Sequence, residues 1–328
     1  MQKINWGIVG CGDVSEVKSG PAFQKAAHSS LHAVMRRNAA KAEDYANRHG
    51  VEKWYSEAAG LINDPNIDAI YVATPPDTHA LYAKMAIEAG KPVYVEKPMC
   101  RTYAECVEVN TLAAKRNVPV FVAYYRRKLP GFIKVKELIE AGAIGDIRMV
   151  NIQLFKHAGE INGTKMPWRV NPEISGGGHF YDLASHQIDY LDFLFGEISH
   201  VQSIVTNQAG LYPAEDILSV SFIHQNGVVG NGSWCFNSSP LNNRDVIEIC
   251  GTKGRIEFST FDFIPVKLIT GKGIEEFNYE KPLHVQQAMI EHVVACLRGN
   301  EQAVSTGVSG ARTNKVLENI VKEYYANK

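Results

Sequence analysis

An apolar run, Ile4–Val9, leads without a spacer into Gly10-Cys11-Gly12-Asp13-Val14-Ser15, and a helix-period segment follows. A strand that ends on two closely spaced glycines and reopens as a helix makes a tight βα turn, because glycine alone tolerates the backbone it needs. Such a turn also lets an anion approach backbone N–H groups at a helix start. Glycine serves structure in any strand–turn–helix, so position carries the reading here: first strand, first turn, and an alternation that continues. Candidate strands Leu31–Met35, Ile67–Ala73, Val93–Glu96 and Val118–Ala123 alternate with helix-period segments at 39–49, 78–89 and 102–116. This grammar predicts βαβ crossovers and a parallel, doubly wound sheet buried on both faces. Segment 14–28 should form the first crossover helix, but Gly20-Pro21 predicts a break or restart.

After about residue 124 the pattern changes. Pro130 sits where a helix can begin, with helical spacing from Phe132 to Ala141. Longer strands follow at 147–156, 198–206, 216–224, 228–236, 245–250 and 255–259. Gln225-Asn226-Gly227 and Gly251-Thr252-Lys253-Gly254 sit as hairpin turns between pairs of them. A helix at about 178–195 interrupts the series, and helices at about 284–298 and 308–325 close it. The reading is an α+β domain with an open, mainly antiparallel sheet. With 328 residues, more than one core usually serves, the expected division is 1–123 and 124–328, the C-terminal helix being a candidate to pack back on the first domain.

Lys plus Arg number 34 against 35 Asp plus Glu, so nothing marks a nucleic-acid or anionic-membrane partner. No run approaches the roughly 20 apolar residues that span a bilayer. Six cysteines without C-x-x-C pairing read as reduced thiols of a cytoplasmic protein, with no metal site.

Candidate functional residues cluster at strand ends and on one helix. Gly10, Cys11, Gly12, Asp13 and Val14 form the first turn, where a dinucleotide pyrophosphate would sit. The second strand ends in Arg36-Arg37-Asn38, without the carboxylate that accepts a ribose 2′-hydroxyl. Guanidinium groups match a 2′-phosphate, which favours NADP(H) over NAD(H); arginine stacked on the adenine of NAD(H) is the alternative. Thr74-Pro75-Pro76-Asp77-Thr78-His79 ends the third candidate strand and also reads as ordinary helix-start chemistry. Glu96-Lys97-Pro98 ends the fourth, where a lysine can stabilise a developing alkoxide; lysine–proline also simply terminates strands. Gly176-Gly177-Gly178 leads into a helix with Asp182 and His186 one turn apart, then Asp189. An imidazole beside a carboxylate is a candidate general base, and equally a core histidine satisfied by its neighbour.

In order along the chain, Gly10-x-Gly12, Ala73-Thr74-Pro75-Pro76 with His79, Glu96-Lys97-Pro98, Tyr125-Arg126-Arg127, Trp168-Arg169 and Gly176-Gly177-Gly178-x-x-x-Asp182-x-x-x-His186-x-x-Asp189 resemble the glucose–fructose oxidoreductase, inositol dehydrogenase and rhizopine-catabolism (Gfo/Idh/MocA) family. The resemblance spans nearly the whole chain. It implies a Rossmann domain followed by a substrate domain whose open sheet forms a homodimer or homotetramer interface. It further implies hydride transfer between nicotinamide and a sugar, polyol or cyclic diol. Lys97 would contact nicotinamide ribose and substrate beside a cis Lys97–Pro98 bond, His186 would be the acid/base, and Asp182 would orient it or share substrate hydroxyls. Tyr125, Trp168 and Arg169 would line the nicotinamide pocket. Substrate choice would lie on the second sheet and in loop 158–173. Ser15 and Ala184 depart from the family pattern, in which a third small residue and a glycine are more usual. Two other activities occur among proteins resembling this family: non-catalytic NAD(P)-binding co-repression and NAD-dependent glycoside hydrolysis. Intact Lys97, Asp182 and His186 argue against the first, and Arg36-Arg37 against the tightly bound NAD of the second.

Overall fold

The computed structural model describes residues 3–157 and 166–327, so residues 158–165 of the expected specificity loop lie outside it. Two compact units divide the chain: Met1–Arg127 with Pro282–Asn314, and Lys128–Lys281 with Lys315–Lys328.

The first unit begins β1 (Ile4–Val9), α1 (Asp13–Val17), α2 (Gly20–Lys25), β2 (Ser29–Met35), α3 (Ala39–His49), β3 (Lys53–Tyr55) and α4 (Ala58–Ile62). It continues β4 (Ala69–Val72), α5 (His79–Glu88), β5 (Val93–Val95), α6 (Tyr103–Arg116) and β6 (Val120–Val122). The strands form one parallel sheet in the order β3-β2-β1-β4-β5-β6. The order reverses between β1 and β4, and in such sheets the ligand crevice opens at the carboxyl ends of the strands flanking the reversal. Every residue of β4, β5 and β6 is buried, as a parallel sheet covered on both faces requires.

The expected break at Gly20 is present, and its cause is steric. A Cβ on Gly20 would lie 2.1 Å from Tyr45 Oη and 2.3 Å from the Ser15 carbonyl oxygen. Tyr45 donates to that same carbonyl at 2.8 Å. The hydrogen bond draws α3 against the first crossover and leaves room for glycine alone.

The second unit contains α7 (Pro130–Glu140), β7 (Ile147–Phe155), α8 (Pro172–Ser175), α9 (His179–Phe195), β8 (Ile198–Thr206), β9 (Ile217–His224) and β10 (Val229–Cys235). Then come β11 (Arg244–Gly251), β12 (Gly254–Phe258), β13 (Val266–Thr270) and β14 (Gly273–Phe277). The eight strands pair in the order β14-β13-β12-β11-β7-β10-β9-β8, all antiparallel except β7 with β10. α9 is anchored on the sheet: Trp234 Nε1 donates to Gln187 Oε1 at 2.7 Å, and Phe180 meets the Trp234 ring edge-on at 5.1 Å. Trp234, Phe236 and Phe222 are buried within the chain itself, so they build its core and not an open sheet face. The outward positions of β7 and β10 include Asn151, Gln153, Asn231 and Ser233.

The chain closes with α10 (Gln287–Leu297) and α11 (Gly307–Ala326). Residues 282–314, given to the second domain by sequence, pack with the first unit. Long-range bonds explain this: Gln286 Nε2 donates to Glu96 Oε1 (2.6 Å), Ser305 Oγ to the Val122 carbonyl (2.8 Å) and Asn314 Nδ2 to the Cys100 carbonyl (2.7 Å). Strands β3, β13 and β14 and helices α4 and α8 escape the sequence reading. β3 has three residues, and β14 is exposed at four of five positions, so neither presents a clear apolar alternation.

Candidate active site

In the first unit the predicted residues gather where strands end. Gly10 adopts φ +95°, and a Cβ there would fall 2.6 Å from Thr74 Cγ2 and 2.9 Å from the Thr74 backbone nitrogen. The turns after β1 and β4 therefore touch through a hydrogen atom's width. Gly10 and Cys11 both donate to the Met35 carbonyl, at 2.9 and 3.1 Å, tying the turn to the end of β2. Around Gly12, by contrast, the nearest atom to an added Cβ is 3.9 Å away. That open space is where a dinucleotide phosphate can approach the backbone, so the loop fits the cofactor that its pattern implies. Asp13 begins α1 and is exposed; the Val14 carbonyl accepts from Lys18 and stays inside the turn. Burial pushes the Cys11 thiol up to about 11, which removes it as a nucleophile.

Arg36 Nη1 donates to the Cys11 carbonyl at 3.4 Å, so one guanidinium braces the glycine turn while Arg37 beside it is exposed. His79 is buried, with Nε2 2.7 Å from the Thr74 carbonyl and Nδ1 3.0 Å from the Pro98 carbonyl. Its burial lowers its pKa, and both ring nitrogens are engaged with the backbone. It joins the Thr74-Pro75 turn to the Lys97-Pro98 turn. Glu96 is likewise internal: Oε1 accepts from Tyr71 Oη (2.6 Å) and Gln286 Nε2 (2.6 Å), and Oε2 from the Lys97 N–H (3.1 Å). Two residues expected to touch cofactor thus hold the turn that carries Lys97. Lys97 itself is half-buried, and the Lys97–Pro98 bond is cis. Tyr125 is buried beneath the Arg126 guanidinium, 4.9 Å from its ring centre.

In the second unit α9 carries both polar residues of the predicted pair. Its start is set by glycines: a Cβ on Gly178 would lie 2.8 Å from Ala214 Cβ and one on Gly177 would lie 2.3 Å from Tyr181 Cδ2. The Gly178 N–H donates to buried Glu215 Oε1 at 2.8 Å, and Tyr325 Oη donates to Oε2 at 2.5 Å. A carboxylate at the N-terminus of a 17-residue helix is favoured by the helix dipole. Ala184 is fully buried without disturbing the helix.

Asp182 Oδ2 stands 3.3 Å from Arg169 Nε, and the Arg169 guanidinium lies 4.5 Å over the Trp168 ring. His186 is 3% exposed, and its ring meets Phe261 edge-on with centres 6.0 Å apart. The Lys156 ammonium lies 4.9 Å over the same Phe261 ring. Glu215, Lys156 and Phe261 were not signalled by any sequence pattern; each lies in a loop beside a strand end, Lys156 after β7, Glu215 before β9 and Phe261 after β12. Among the described residues no His/Cys/Asp/Glu group is arranged to hold a metal ion, and no helix is long and apolar enough to cross a membrane.

A parallel nucleotide-binding sheet with a glycine turn at its reversal point, followed by a mainly antiparallel eight-stranded domain, defines a nicotinamide-dependent oxidoreductase. Residues 4–124 match the family described as "Oxidoreductase family, NAD-binding Rossmann fold", and residues 132–257 match the GFO/IDH/MocA C-terminal domain. The chain belongs to the GFO/IDH/MocA oxidoreductase family. It is 44% identical over 298 residues to Oxidoreductase P35 of Formosa agariphila, covering 89% of this chain and 90% of the relative. It is 28% identical over 299 residues to levoglucosan dehydrogenase of Pseudarthrobacter phenanthrenivorans, covering 79% of this chain and 74% of that protein. A solved levoglucosan dehydrogenase in complex with NADH shares the fold, with a TM-score of 0.88, 24% identity, and coverage of 98% of this chain and 96% of that one.

Proposed function

We propose that the chain is an NADP-preferring dehydrogenase that interconverts a carbinol and a carbonyl on a sugar, polyol or cyclic diol. The observation that carries this reading is the arrangement on α9: His186 one turn from Asp182, which is held by Arg169. When bound, the nicotinamide supplies the hydride acceptor or donor. His186 accepts the substrate hydroxyl proton in oxidation and returns it in reduction. Lys97 can donate to a substrate oxygen and stabilise negative charge that develops on it. Asp182, oriented by Arg169, accepts hydrogen bonds from neighbouring substrate hydroxyls. Arg37, exposed beside the Arg36 brace, supplies the charge for a 2′-phosphate.

The name of the levoglucosan dehydrogenase relative supports a carbohydrate-like substrate. Assembly as a homodimer or homotetramer through the outward face of the second sheet belongs to the same proposal. Fluorescence titration with NADPH and NADH, followed by a screen of sugars, anhydrosugars and polyols with the tighter cofactor, tests it. Tighter binding of NADH would overturn the NADP preference. Cofactor binding with no turnover on any carbohydrate would leave a sensor in place of an enzyme.

A further inference from the structure

The segment that enters α10 joins two turns of the first unit that lie far apart in sequence. α1 follows the glycine turn directly, with Gly12 as its N-cap, and has only five residues. The carbonyls at its C-terminus need partners from outside the helix. His284 Nδ1 donates to the Val17 carbonyl at 2.6 Å, and the Gln286 N–H donates to the Lys18 carbonyl at 3.2 Å. Lys25 Nζ, a donor only, lies 2.7 Å from His284 Nε2, so Nδ1 carries the ring proton that reaches Val17.

The Gln286 side chain reaches the other turn. Its Nε2 donates to Glu96 Oε1 at 2.6 Å, and its Oε1 accepts from Tyr94 Oη at 3.3 Å. Tyr71 Oη donates to the same Glu96 oxygen at 2.6 Å, while the other Glu96 oxygen accepts the Lys97 N–H at 3.1 Å. The Tyr71 and Tyr94 rings stack with centres 5.2 Å apart, which fixes the direction of both hydroxyls. Gln286 is 1% exposed, and Glu96, Tyr71, Tyr94 and His284 are buried with it. An amide lost from such a site leaves partners that water does not reach.

We propose that Gln286 is a positioning residue that couples the turn receiving the cofactor pyrophosphate to the turn presenting Lys97. This coupling presupposes the dinucleotide reading of the glycine turn, and it adds a residue that none of the motifs contains. A pyrophosphate on the glycine turn steadies α1, and the Lys18 carbonyl passes that restraint to the Gln286 backbone. The Gln286 amide then steadies Glu96, and Glu96 the Lys97 N–H. Occupancy of the pyrophosphate half therefore narrows the positions open to Lys97 before the nicotinamide half engages it. His79 supplies a parallel route through the Thr74 and Pro98 carbonyls, on the other side of Lys97. A Gln286 variant separates the two routes.

Trace acetylation of the whole protein with acetic anhydride at pH 8, read by peptide mass spectrometry, tests it. Lys91, just before β5 and thus at the opposite end of that strand from Lys97, is the internal reference. In Gln286→Met, Lys97 should label at least about threefold faster relative to Lys91 than in wild type. A fold that is merely loosened would speed both lysines. ADP is the probe of coupling, because it carries adenosine and pyrophosphate but no nicotinamide ribose to touch Lys97. Saturating ADP should slow Lys97 labelling by about threefold or more in wild type, and leave it unchanged in Gln286→Met although ADP still binds. Equal Lys97 rates in wild type and folded Gln286→Met, or the same ADP effect in both, would overturn the proposal. If Gln286→Met does not fold, Gln286→Glu takes its place with the same deciding outcomes. It keeps the shape and exchanges the donor facing Glu96 for an acceptor. Absence of ADP binding to the wild type would overturn the dinucleotide reading, and the ligand-free comparison would still decide whether Gln286 places Lys97.

Discussion

Asp182 and Arg169 form an ion pair with Oδ2 and Nε 3.3 Å apart, while the same guanidinium covers the Trp168 ring. One helix residue and two residues of a short upstream turn become a single rigid unit. Both side chains are partly exposed, so the pair adds little to stability, and its role is orientation.

Arg169→Ala should therefore raise the substrate KM and lower kcat/KM by roughly ten- to a hundredfold, with an almost unchanged melting temperature. Arg169→Lys should recover only part, because an ammonium cannot both pair and stack as a planar guanidinium does. Steady-state kinetics equal to wild type would remove Arg169 from the site.

His186→Ala should reduce kcat by about two to four orders of magnitude while leaving NADPH affinity nearly intact. Full turnover in that variant would leave the proton path without its base.

Arg37→Ala should weaken NADPH binding by roughly tenfold, equivalent to ~1.4 kcal/mol, and leave NADH binding within about twofold. Direct fluorescence titration separates the two cofactors. Equal losses for both would mean that the arginine senses the adenosine and not a 2′-phosphate.

His79 links the Thr74 and Pro98 carbonyls. His79→Ala removes both contacts and should destabilise the protein by about 1–3 kcal/mol in urea unfolding. Cofactor affinity should fall as well, since the freed turn carries Lys97. A variant with the wild-type urea midpoint would show that the two turns hold their places unaided.

Glu16 is held at about 2, against an ordinary 4.5, chiefly by side-chain hydrogen bonds from Arg48 and then from His49. A carboxyl whose folded pKa is depressed stabilises fully above its unfolded pKa. That contribution is lost as pH falls from about 4.5 towards 2. Glu16→Gln should lower the melting temperature at pH 7 and narrow its gap to wild type by pH 3. A gap independent of pH would assign the effect to packing.

Much of the architecture was legible because the signals are local. Apolar runs, the Gly10 turn and the 39–49 periodicity each depend on neighbours within a few residues, and Ile4–Val9 and Ala39–His49 form as read. The α9 spacing likewise placed Asp182 and His186 together before any tertiary contact was known. Exposed edge strands such as β14 carry no comparable pattern, since little of their surface is buried.

By itself the sequence determined the order of the elements with clear apolar periodicity, the glycine turn and the one-turn spacing of Asp182 and His186, because chain geometry alone sets these. Only the tertiary structure decided that Gln286 caps Glu96 from 190 residues away, that Glu96 and His79 brace the Lys97 turn, and that Arg169 turns back onto Asp182. Those partners are fixed by how strands and helices pack, and a buried polar group takes whichever donor or acceptor that packing delivers.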